Sequence, residues 1–191
     1  MAELLSILYV ALFAASGVGL GRLLFYREKP LVRLWLGLAF GMAMLLWLPA
    51  LFSFALGFRL PAQLLGLLAA CLAGAAGFFL SRNKSATASS WKAEVPFFIA
   101  GGALLAVSLV LLSTHTIVER GGALYVGQST YGDLAMHLGF ISSIATQGTF
   151  PPMYSICPDQ AVNYPFLCES VGASVYLFGT SLRFATMLTA S

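Results

Sequence analysis

The sequence predicts an all-α, polytopic membrane protein. It reads as a transmembrane helical bundle of about four spans and the start of a further one, with an extracytoplasmic loop that carries two short amphipathic surface helices. Three observations predict this. First, hydrophobic residues make up 59% of the 191 and charged residues only 9%, with a mean hydropathy of +0.88; a soluble domain carries about 25% charged residues to solvate its surface. Second, four apolar runs are long enough to cross a hydrocarbon core of about 30 Å at about 1.5 Å per residue. Third, the polar chemistry gathers in one late segment, "STYGDLAMHLGFISSIATQGTFPPMYSICPDQAVNYPFLCES", from Ser129 to Ser170. It holds three of the seven acidic residues, one of the two histidines and two of the three cysteines.

The four runs are Leu4 to Phe25, Leu31 to Phe58, Leu60 to Leu80, and Pro96 to about Ser113, making residues 1–114 a four-helix transmembrane module. The opening MAELLS carries Glu3 and no positive charge, so the first run is not read as a signal peptide. Within it, "SGVGLG" lies inside an apolar stretch with no strand before it, which argues against a nucleotide-binding turn. Gly17 and Gly21 instead form a small-xxx-small surface for close helix packing. Pro49 and the Gly101-Gly102 pair read as kink or packing features, and "SRNKSATASSWKAEV" as a solvated connector. Basic residues cluster around the first loop (Arg22, Arg27, Lys29, Arg33) and the third (Arg82, Lys84, Lys92), while the second holds Arg59 alone. Positive-inside logic then places the first and third loops in the cytoplasm, and the N-terminus and everything directly after the fourth span outside. The sequon at Asn83 falls on the wrong side for glycosylation. A net charge of +3, small and scattered, gives no footprint for nucleic acid.

Residues 115–179 form the expected extracytoplasmic loop. "HTIVERGGALYV" leaves the membrane through a Gly-Gly turn. From Asp133 to about Gln147, Leu134, Leu138, Ile141 and Ala145 recur at three- and four-residue steps, while Ser142, Ser143 and Thr146 fall on another arc. Such a helix is too short to span and is expected to lie on the outer surface, capped by the Ser129-Thr130 pair or by Asp133. Asp133 and His137 share one face. They suit a general base with a proton partner, two ligands of a divalent cation, or simply an N-cap beside an interfacial polar residue. Pro151-Pro152 ends the helix, and a loop returns to a second surface helix at about 166–178, opened by Pro165 and closed by Gly179. Cys157 and Cys168 form either a disulfide or two free thiols. No CxxC or His-rich spacing supports zinc, and no G-x-S-x-G supports a serine hydrolase. "GTSLRFATMLTAS" begins another apolar helix at 180–191, so the chain reads as the N-terminal part of a longer polytopic protein.

The order of these elements resembles a known family. An outward YGD, a His four positions on, a flat helix, GTFPP, NYPFL and a short helix ending LFGTSLR are similar to the GT-C superfamily of polytopic glycosyltransferases, especially its polyprenyl-phosphate-dependent mannosyl- and arabinosyltransferases. The resemblance covers roughly Gln128 to Thr186. It implies transfer of a sugar from a polyprenyl-phosphate donor to a glycan, lipid or protein acceptor on the extracytoplasmic side of the plasma membrane. Asp133 would match the family's essential acidic residue, as base toward the acceptor hydroxyl or as holder of a divalent metal (magnesium or manganese), with His137 its neighbour. Asn163 and Tyr164 would face the same cavity, with Tyr131 and Glu169 as further substrate-binding candidates. Two departures stand out: three extra spans precede the acidic loop, and the acidic motif is one Asp where a carboxylate pair is usual. A transporter or flippase segment and a non-catalytic assembly protein are the alternatives. The former is disfavoured because charges sit at span ends rather than within spans.

Overall fold

The computed structural model describes the chain except for Ala86, Ser89, residues 128–131, Pro158 and Ser191. Tyr131 and the Ser129-Thr130 cap therefore lie outside the described residues. Four helices are long and apolar enough to cross a membrane, the architecture of a multi-pass membrane protein. They are α1 (Ala2–Leu24), α2 (Pro30–Leu56), α3 (Leu60–Ser81) and α4 (Trp91–His115). A hairpin of β1 (Ile117–Arg120) and β2 (Ala123–Val126) follows, then α5 (Leu134–Gln147), α6 (Leu167–Leu177) and α7 (Leu182–Ala190). The chain divides into two compact units, Met1–Glu94 and Val95–Ser191.

In the first unit α1, α2 and α3 all pack against one another. Hydrophobic burial does not drive such packing in lipid, where tails are as apolar as leucine; close van der Waals approach does. The sequence supplies it with glycine. A Cβ on Gly21 would stand 2.7 Å from Gly37 Cα, one on Gly41 2.7 Å from Phe13 O, and one on Gly77 2.6 Å from Leu20 Cα. Gly17 faces the backbone of Gly37 and Gly41, so the small-xxx-small spacing of α1 meets a matching one on α2. Phe13 and Tyr9 are buried beside these contacts with their rings edge to face at 5.1 Å. Pro30 and Pro61 occupy the first turns of α2 and α3, where a missing N–H breaks no helical bond. α2 stops at Leu56, two residues before the expected Phe58, because Gly57 turns the chain at φ 72°.

Three expectations need correction in the second unit. α4 begins at Trp91, five residues before Pro96; the proline gives up its own N–H bond and crowds the carbonyl of Lys92, yet the WKAEV turn before it is formed all the same. Gly101 and Gly102, read as kink or packing features, meet no packing neighbour among the described residues, where a Cβ on either would find nothing within 4 Å. The expected all-α class also gains a hairpin. Its strands pair Ile117 with Val126 and Arg120 with Ala123. The two-residue turn places Gly121 at φ 58° and Gly122 at φ 80°, the left-handed pair that a type I′ turn demands.

α5, α6 and α7 pack together around Ile141, Val175 and Ala185, flanked by Tyr176, Leu182, Phe184 and Leu188. α6 is the interior element: every residue from Glu169 to Val175 is buried. The expectation of a second surface helix overlooked how much of it is small. Ser170, Gly172, Ala173 and Ser174 allow close approach from more than one side. Both serines satisfy their hydroxyls on the helix itself, Ser170 Oγ donating to Leu167 O at 2.6 Å and Ser174 Oγ to Ser170 O at 2.8 Å.

Candidate functional site

α5 is stopped by Gly148, which takes the left-handed conformation (φ 64°, ψ 8°) as the C-cap, so the helix ends before Pro151-Pro152 is reached. The side chain of Gln147 then organises the loop. Its Oε1 accepts from Met153 N at 3.0 Å, and its Nε2 donates to Met153 O at 2.9 Å and to Ser143 Oγ at 2.6 Å. One amide thus pairs with both backbone groups of a residue six positions on, as a strand neighbour would. Met153 also bridges Ala161, Tyr154 N donates to Gln160 O at 2.9 Å, and Val162 N donates to Pro152 O at 3.0 Å. With Pro152 and Val162 buried, the returning chain is held against α5 and delivers Tyr164 to its surface.

Tyr164 stacks on Phe140 of α5 (centroids 5.6 Å apart, planes at 27°) and meets the His137 ring edge to face at 6.3 Å. Tyr154 also meets the Phe140 ring, with centroids 6.1 Å apart and planes tilted at 47°. α6 starts at Leu167 after the N-cap Phe166, two residues later than Pro165 suggests, and carries Glu169 in its first turn. His137 Nδ1 lies 2.6 Å from Glu169 Oε1, across 32 positions of sequence. An ionised carboxylate only accepts, so with Glu169 charged the imidazole donates from Nδ1 and keeps Nε2 for another partner. The His137 side chain is 35% exposed while that of Glu169 is 9% exposed. Glu169 Oε2 is buried and has no hydrogen-bond partner among the described residues.

The residues singled out from sequence therefore separate. His137, Glu169 and Tyr164 come together. Asp133 stands one turn before His137 as the N-cap residue of α5. It is exposed, with no side-chain cap bond, and its backbone carbonyl accepts from His137 N at 3.1 Å. The i, i+4 spacing puts Asp133 and His137 on one face, with Cβ atoms about 6 Å apart, yet the partner that His137 takes is Glu169. Asn163 is exposed in the returning loop. Cys157 and Cys168 are both free and exposed, so the disulfide is not formed. Phe140 and Tyr154 complete the aromatic surround and were not foreseen, although Phe140 sits at the three-residue spacing from His137 that puts side chains side by side on a helix.

A divalent metal fits this set poorly. No group of three His, Cys, Asp or Glu side chains occurs among the described residues, and one oxygen of Glu169 is already bonded to His137. Arg183 of α7 is used within the fold. Its Nε donates to Ile117 O at 3.1 Å and its Nη1 lies 3.7 Å from Glu119 Oε2, tying α7 to the hairpin. What the arrangement offers is an oriented imidazole, with a buried carboxylate behind it and an aromatic wall beside it, the pattern in which a base is held by a third group. Comparison of the chain with protein-family models, with curated proteins and with solved structures returns no match.

Proposed function

We propose that this chain belongs to an integral membrane glycosyltransferase of the GT-C type, moving a sugar from a polyprenyl-phosphate donor to an acceptor hydroxyl at the extracytoplasmic face. The observation that carries the reading is the His137–Glu169 pair, with its Nδ1–Oε1 bond of 2.6 Å and its unpartnered Oε2, on the face of α5 that Asp133 opens. Glycosyl transfer needs a group that takes a proton from the acceptor as the phosphate departs. Asp133 is assigned as that base. His137, steered by Glu169, is assigned to position the acceptor and to pass the proton on. Tyr164 supplies an apolar face of the kind on which a sugar ring rests. The donor's prenyl tail stays in lipid, so the reacting carbon is held at the membrane surface, where a short helix that does not span is suited to meet it.

The test is sugar transfer in membranes containing the full-length protein, using a radiolabelled polyprenyl-phosphate sugar. Asp133→Asn keeps the side chain's shape and removes its basicity. It is expected to lower transfer by about 10²- to 10⁴-fold, the usual contribution of a general base, at unchanged protein level in the membrane. Near-normal transfer by that variant removes Asp133 from the mechanism.

A further inference from the structure

The first unit has a strongly asymmetric charge distribution. α1 ends with Arg22, α2 begins after Lys29 with Arg33 one turn in, and α3 returns to the same end with Arg82 and Lys84, the latter's ammonium 4.3 Å from the ring centre of Tyr26. Glu28 is the single acidic residue between positions 22 and 84. Running from this basic end is a groove between α1 and α3 of about 410 Å³, walled by Leu12, Ala15 and Val18 on one side and Cys71, Ala75 and Phe79 on the other. Leu12 to Arg22 is ten residues of helix, about 15 Å, which is half of a hydrocarbon core of about 30 Å and therefore the depth of one leaflet's acyl chains.

Arg22 closes the groove. Its guanidinium lies over Phe78, 4.5 Å from the ring centre, and its Nε is buried with no hydrogen-bond partner among the described residues. The same side chain lines a smaller adjoining pocket of about 150 Å³ with Arg33. A buried donor without an acceptor is a standing penalty, and a guanidinium is the group best shaped to meet phosphate oxygens two at a time. Basic pockets between membrane helices recognise anionic head groups on this principle. We propose that this groove binds one anionic glycerophospholipid from the leaflet that the basic end faces, with an acyl chain along α1 and α3 and the phosphate on Arg22 and Arg33. The site is independent of the transfer chemistry assigned to α5 and α6.

Native mass spectrometry of the delipidated full-length protein tests it, by titration with phosphatidylglycerol or phosphatidylcholine of matched acyl chains. One phosphatidylglycerol is expected to be held about tenfold or more tightly than phosphatidylcholine. Arg22→Gln and Arg33→Gln should each reduce that preference about fivefold. Ala75→Leu, which fills the groove, should weaken both lipids alike while circular dichroism shows the helices intact. Equal retention of the two lipids by the unmodified protein would overturn the site, whatever the variants do. So would a preference that survives both arginine substitutions, or polyprenyl phosphate held in preference to phosphatidylglycerol.

Discussion

Glu169 Oε2 is buried with no partner among the described residues while Oε1 lies 2.6 Å from His137 Nδ1, so the two oxygens of one carboxylate meet unequal surroundings. Removing the imidazole strands both. His137→Leu is expected to cost about 1–3 kcal/mol, the desolvation penalty of an abandoned buried polar group, while Glu169→Leu alone leaves a half-exposed histidine that water can serve. The double variant should recover most of the loss, because replacing both partners by apolar groups leaves nothing unpaired. Denaturant unfolding in detergent micelles for the four proteins gives the coupling energy; strictly additive losses would mean that the pair is not energetically joined. The i, i+4 rule could place Asp133 and His137 on one face but is blind to partners across the fold. The acid that His137 takes comes from another helix, 32 positions away, and only the way Gln147 returns the loop brings it there.

That returning loop depends on one amide. Gln147 pairs with both backbone groups of Met153 and with Ser143 Oγ. Gln147→Ala should therefore loosen the returning chain at Met153, Tyr154 and Val162 while leaving α5, which Gly148 caps independently. Hydrogen exchange is the measurement: faster exchange at Met153, Tyr154 and Val162 with little change at Phe140 and Ile144 is expected, and unchanged exchange in the loop would assign its order to the buried Pro152 and Val162 instead. Elements of this kind differ in how far they can be read from sequence. A membrane-crossing helix announces itself by length and lack of charge alone, and the four long helices were legible on that basis to within a few residues, except where α4 starts. The hairpin was not, since IVER and ALYV are too short for an alternating pattern to register, although the Gly-Gly turn between them was plain. α6 carries Glu169 and Ser170, a mixed polarity that pointed to a surface helix, yet Glu169 to Val175 are buried; Ser170 and Ser174 bond to the helix's own carbonyls, and their small size lets neighbours close in.

At the scale of the whole molecule, glycine has two roles in the long helices that composition cannot distinguish. Gly41 on α2 lies against α1, where a Cβ would come within 2.7 Å of Phe13 O and 2.8 Å of Ala14 Cα. A Cβ on Gly101 of α4 would meet nothing within 4 Å among the described residues. Both sit in apolar helices, and both would gain helix propensity by substitution. Leucine at Gly101 should thus be tolerated or slightly stabilising. At Gly41 it must drive two backbones apart, forfeiting the close approach that holds helices together where burial from water contributes little; overpacking of that kind costs about 1–3 kcal/mol. Thermal unfolding of detergent-solubilised Gly41→Leu and Gly101→Leu separates the cases: a clear fall in melting temperature is expected for the first alone. A comparable fall in both would mean that the exposed face of α4 is itself engaged against a partner in the membrane. Loss in neither would show that α1 and α2 are joined by something other than their glycine contacts.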